Sequence, residues 1–106
     1  MVYNYLMLDV IKSDEYERWF ATLRDKTVIA RINARVYRML HGNLGDWKAL
    51  RDGISEMRID AGPGYRLYFT RRGLTIVILL CGGDKRTQDT DIKRAIEIAK
   101  VWGNEP

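Results

Sequence analysis

The sequence is poor in the residues that carry most familiar site chemistry. It holds one cysteine, Cys81, and one histidine, His41. A lone cysteine excludes an internal disulfide and fits a reducing compartment. One Cys and one His cannot build the usual protein metal site, so neither metal nor cofactor is expected. Both glycine-rich phosphate loops, GxxxxGK[ST] and GxGxxG, are absent. The longest apolar run, Ile76 to Cys81, falls far short of the roughly 20 residues that span a membrane. The opening MVYNYLMLDVIK has no basic leader and no small-residue cleavage pattern, which makes the cytoplasm the expected location. No repeat, low-complexity tract or linker interrupts the chain, and 106 residues suit one domain over residues 1–106.

Arginine is what the chain does have. It outnumbers lysine 12 to 6, and its planar fork matches phosphate better than an ammonium does. The net charge is +4, but it is unevenly spread. Residues 26–86 carry 12 Lys and Arg against 5 Asp and Glu, while both flanks are mildly acidic. A basic middle favours a polyanion or an acidic partner segment, although solvated surface charge explains it equally well.

The residue pattern predicts an α+β domain in the order β-α-α-β-β-β-α. Val2 to Ile11 reads as a first strand. Asp14 with Glu17 resembles a capping box, and Tyr16, Trp19, Phe20 and Leu23 then form one helical stripe. Asp25 looks like the cap of a second helix, with Ile29, Ile32, Val36, Met39 and Leu40 spaced helically up to Gly42. The pair is expected as a hairpin lying on a sheet. His41 reads as a helix C-terminal cap. After the Gly42–Asp46 loop, strands are expected over 54–60, 65–71 and 74–81, joined as antiparallel hairpins at Gly62-Pro63-Gly64 and Arg72-Gly73. In the first two, alternation puts one face on the helices and leaves the other polar. The third reads as a central strand ending in a core cysteine, Cys81. Thr90 or Asp91 can cap a last helix with a buried stripe of Ile92, Ala95, Ile96 and Ala99.

The polar alternation carries the candidate chemistry. Glu56, Arg58, Arg66 and Tyr68 share parity on neighbouring strands, and Lys85 and Arg86 follow on the loop after the last strand. Such a cluster can bind consecutive phosphates and stabilise developing charge. Cleavage through a ribose 2′-hydroxyl also needs proton transfers, for which Glu56 is a candidate base and Tyr68 a candidate acid or orienting group. Arg58 can instead pair with Glu56 or Asp60 as a purely structural contact. Arg31, Arg35 and Arg38 share one helical face, which suits a solvated surface, a nucleic-acid flank or a docking surface. Lys48 and Arg71 are the further candidates for RNA contact.

Taken together, Trp19, Leu23 and Asp25, GNLGDWK (42–48), Glu56 to Ile59, GPGYRLYF (62–69), LLCGGDKRTQ (79–88) and DIKRA (91–95) resemble the RelE/HigB superfamily of toxin–antitoxin toxins. The likeness is to the short branch described as addiction-module killer or phage-derived Gp49-like proteins. The resemblance implies a RelE-like fold, an antiparallel sheet with two N-terminal helices on one face and a C-terminal helix. It implies an mRNA interferase acting on ribosome-bound mRNA and neutralised by a HigA-type helix-turn-helix antitoxin encoded beside it, with operator DNA contacted only through the complex. By motif, Arg66 matches the family's phosphate-binding arginine, Arg58 a basic catalytic position and Arg86 a basic position after the last strand, with Lys85 as helper. Relatives often carry a C-terminal histidine or tyrosine, whereas no Tyr or His follows Arg86 here. The alternative is a non-catalytic basic module that binds RNA, the ribosome or a protein of an operon complex.

Overall fold

The computed structural model describes residues 7–103. Its elements run β1 (Asp9–Lys12), α1 (Asp14–Ala21), α2 (Lys26–Leu40), β2 (Trp47–Ala49), β3 (Ile54–Ile59), β4 (Tyr65–Arg72), β5 (Ile76–Asp84), one 3₁₀ turn (Lys85–Thr87) and α3 (Gln88–Gly103). Part of the strand expected from Val2 lies outside the described residues. Within them, β1 starts late and reaches Lys12.

The five strands form one sheet in the order β1-β5-β4-β3-β2. Strands β2 to β5 make an antiparallel meander, with Gly73 in a positive-φ conformation (φ 59) at its last turn. The expectation of an antiparallel sheet needs correcting, because β1 pairs parallel with β5. A crossover through α1 and α2 separates β1 from the meander, and a long connection permits parallel pairing where a tight turn does not. Strand β2 was not anticipated: it is three residues long and wholly exposed, so pairing with β3 rather than its own apolar pattern makes it a strand.

Both faces of the sheet are covered, so the expected open polar face is a second correction. One face packs Met57, Ile59, Leu67, Phe69, Val77 and Leu79 against Tyr16, Val28, Ile32, Val36 and Met39 of α1 and α2. On the other, α3 lays Ala95 and Ile98 over Ile54, Tyr68, Ile78, Leu80 and Cys81. A bulge admits this packing: Tyr68 lies opposite Cys81 but Phe69 opposite Leu79, so Leu80 is the extra residue. No helix among the described residues is long and apolar enough to cross a membrane.

Local capping mostly follows the sequence. Asp25 Oδ1 accepts from the Thr27 and Val28 amides, as expected. For α1 the cap is Ser13 rather than Asp14: its Oγ accepts from the Tyr16 amide and donates to the Leu80 carbonyl at 2.7 Å. The buried serine therefore caps a helix and ties it to the sheet in one step. Helix α3 begins before the expected Thr90 or Asp91 cap, because Asp84 caps the preceding 3₁₀ turn, which runs on into the helix.

Candidate functional site

Strand register decides which charged side chains meet. Arg58 on β3 stands directly opposite Arg66 on β4, and Arg66 opposite Gly83 on β5. Like charges directly across a ladder repel. Each arginine here has its own carboxylate: Arg58 Nη2 donates to Asp46 Oδ1 at 3.3 Å, and Arg66 Nε lies 3.6 Å from Glu56 Oε1. The two arginines line one open cleft with Lys85, Tyr65, Asp46, Asp60 and the Gly62–Gly64 turn. Lys85 joins them because its amide donates to the Gly64 carbonyl at 3.1 Å, docking the turn after β5 onto the turn before β4.

The double glycine before Asp84 makes room for side chains of two helices beside that docking. A Cβ on Gly82 would collide with the Trp19 ring, and one on Gly83 with the Asp91 carboxylate. Backbone bare on both faces lets α1 and α3 close on the end of β5, beside the cleft. Asp91 is itself buried and accepts from the Thr87 hydroxyl at 2.5 Å. Burial raises its pKa, partly offset by that hydrogen bond and by Arg94.

The remaining candidates fall elsewhere. Arg86 does not line the cleft; its guanidinium is exposed and doubly held by Asp84, with Nη2 donating to Oδ2 at 2.8 Å. That pairing holds the Asp84 carboxyl below its usual range. Glu56 is 1 % exposed and Tyr68 0 % exposed, so both lie beneath the cleft rather than in it. Neither Glu56 oxygen, nor Arg66 Nε, nor the Tyr68 hydroxyl has a hydrogen-bond partner among the described residues. Burial first, then Asp91 and Glu56, pushes the Tyr68 pKa well above that of a free phenol. Lys48, on the exposed edge strand, reaches to 3.9 Å from Glu56 Oε2.

The helical arginine row is largely a brace. Arg35 Nη1 donates to the Arg58 carbonyl at 2.6 Å and its Nη2 to the Leu44 carbonyl at 3.2 Å, while Arg31 Nη1 donates to the Asp60 carbonyl at 2.8 Å. These bonds fasten α2 to the strand that carries Arg58. Arg38 lines a shallow groove with Arg31, Arg35, Ile59 and Asp60. Arg71 sits at the far end of β4 from Arg66 and donates to the Leu74 carbonyl.

Sequence reasoning missed Tyr65. Its parity places it on the α1–α2 face, paired with Ile59, and its ring packs 6.4 Å from Trp19. As the first residue of β4 it nevertheless reaches the rim and lines the cleft. The signal was its place beside the GPG turn, where a strand's end escapes the two-face rule.

The profile of the family described as phage derived protein Gp49-like matches residues 19–101. An uncharacterized protein of Haemophilus influenzae is 49% identical over 88 residues, covering 83% of this chain and 89% of that relative.

Proposed function

The chain belongs to the Gp49-like family of phage-derived proteins, and from that premise we propose that it is the toxin of a type II toxin–antitoxin pair. In this reading it is an endoribonuclease of the RelE/HigB type that cuts translated, ribosome-associated mRNA in the cytoplasm. The observation that carries the reading is the direct opposition of Arg58 and Arg66, with Lys85 completing the cleft. Two arginines held face to face, each balanced by a carboxylate, form a ready site for a phosphodiester.

The reaction is attack of a ribose 2′-hydroxyl on the adjacent phosphorus. The P–O5′ bond breaks, leaving a 2′,3′-cyclic phosphate and a 5′-hydroxyl, with one proton lost at O2′ and one gained at O5′. Arg58 and Arg66 hold the phosphate oxygens and stabilise the charge that grows on them. Of the groups able to move protons, Tyr65, Lys85 and the carboxylates of Asp46 and Asp60 line the cleft, whereas Glu56 and Tyr68 are sealed beneath it. We therefore give the proton-transfer roles to groups that line the cleft, Tyr65, Lys85 and Asp60, rather than to Glu56 or Tyr68. Arg86, held by Asp84 outside the cleft, contacts the neighbouring phosphates. The partner is a HigA-type helix-turn-helix antitoxin encoded beside the gene, through which alone the complex meets operator DNA.

One observation favours a second reading. The cleft holds no imidazole among the described residues, and one of its two carboxylates, Asp46, is paired with Arg58, which suits a module that binds RNA or the ribosome without cutting. Primer extension after brief induction separates the two, with wild type beside Arg58→Ala/Lys85→Ala. The toxin reading expects new ends inside translated frames that vanish in the variant. Growth arrest without new ends would support the binding module.

A further inference from the structure

The least explained group in the molecule is the carboxylate of Glu56. Burying an ionised carboxylate is costly unless it is paired and hydrogen-bonded. Glu56 is 1 % exposed, and neither oxygen has a hydrogen-bond partner among the described residues. Its strand neighbours in register are Lys48 on one side and Tyr68 on the other, with Ile54 buried two residues away on the same face. An apolar side chain would fit that setting with less cost. A structural hydrogen-bond hub does not describe it either, since it accepts none.

What Glu56 does have is a cation on each side. Lys48 Nζ lies 3.9 Å from Oε2 and Arg66 Nε lies 3.6 Å from Oε1. The contact on Arg66 is to the Nε edge of the guanidinium, and that nitrogen is buried. Arg66 lines the cleft, so the edge turned to Glu56 is the inner one and the terminal nitrogens remain for the cleft. A guanidinium presents its donors in a fixed plane, so holding one edge fixes the direction of the rest.

We infer that Glu56 is a positioning residue that aims Arg66 into the cleft from behind and pairs with Lys48 on the edge strand, rather than a base that touches RNA. The inference rests on the reading proposed above for what the cleft does, but its central contact can be tested without it. A buried carboxylate behind an arginine supplies orientation at no cost in access to the cleft. It also offsets the repulsion between Arg58 and Arg66, which face each other across the ladder.

The test has a spectroscopic arm and a kinetic arm, on the full chain. The arginine Nε–H signals are assigned by nitrogen-15 NMR in wild type, Glu56→Gln and the apolar variant Glu56→Met. The Arg66 signal is expected to move and to exchange with water at least about tenfold faster in both variants, while the other arginine signals and the melting temperature change little. An Arg66 signal indifferent to residue 56 overturns the inference and leaves the proposed activity untouched. In the kinetic arm, Glu56→Gln is expected to lower turnover of an RNA substrate by up to about 100-fold with KM little changed, the pattern of a misaimed group. In an Arg66→Lys background, which lacks Nε, Glu56→Gln should cost almost nothing more. Fully additive losses would show that Glu56 acts independently of Arg66 and sink the idea. If wild type cuts no RNA, the proposed activity fails, and the NMR arm still decides the role of Glu56.

Discussion

The two faces of this one sheet are built on opposite policies. Beneath α1 and α2 the cluster is apolar from Leu8 through Phe69 to Leu79, and no buried charge interrupts it. Beneath α3 an apolar patch around Ile78, Leu80 and Ala95 gives way within two residues to Tyr68, Glu56 and Asp91, all buried. The same strands contribute to both, so neither chain composition nor strand propensity explains the difference. Stability is concentrated on the first face. On the second, the fold carries a buried carboxylate and a buried phenol with no hydrogen-bond partner among the described residues, a cost a purely structural layer would have no reason to retain.

That contrast breaks most visibly through large apolar side chains. Phe69→Ala, at 0 % exposure on the first face, should lower stability by about 3–5 kcal/mol, read by denaturant unfolding. An equally large loss from removing the Tyr68 hydroxyl would erase the distinction between the faces. Next in size is function: Arg58→Ala should cut RNA cleavage by about 10²–10³-fold while leaving unfolding nearly unmoved, because its side chain is half exposed. A loss of fold accompanying the loss of activity would mean that the cleft is structural.

Smaller, and of opposite sign, is Tyr68→Phe. Its hydroxyl has no hydrogen-bond partner among the described residues, so deleting it should raise stability by about 1 kcal/mol. Cleavage should persist, since that phenol does not line the cleft and burial keeps it protonated. Loss of cleavage in a stable Tyr68→Phe protein would return Tyr68 to a proton-transfer role.

Much of the first face was legible in the sequence. The stripe of Tyr16, Trp19, Phe20 and Leu23, the cap at Asp25 and the alternation of Met57 and Ile59 each announce one buried surface, and the structure assembles them as such. The second face was not. Glu56, Arg58, Arg66 and Tyr68 alternate like solvent-facing residues, and nothing local says that α3 will cover half of them. Parity correctly predicted that they share a face, while depth was decided by a helix more than thirty residues away from Glu56. The same limit hid Tyr65, whose parity is wrong for the cleft but whose place at a strand end lets it reach the rim. Arg31 and Arg35 read as free cations because their partners are carbonyls, which leave no trace in a sequence.

The smallest expected effect concerns two carboxylates that bracket the turn after β5. Asp84 is held below its usual pKa, chiefly by hydrogen bonds from Arg86, so what it contributes to stability is present above about pH 4 and is lost as pH falls through its folded value. Asp91, buried over Gly83, is raised above 3.8. The folded protein then holds that proton longer than the unfolded chain does, so between 3.8 and the raised value stability falls as pH rises. Asp91→Asn keeps an acceptor for Thr87 without the charge. Its stability relative to wild type should therefore improve as pH climbs above about 4, whereas that of Asp84→Asn should worsen as pH climbs toward about 4 from below and stay level above it. Urea titrations of both variants from acid well below about pH 4 up to neutrality read the two slopes. Slopes of equal sign would mean that Asp91 is as well solvated as Asp84, and the closure of α3 over the end of β5 would lose its buried charge.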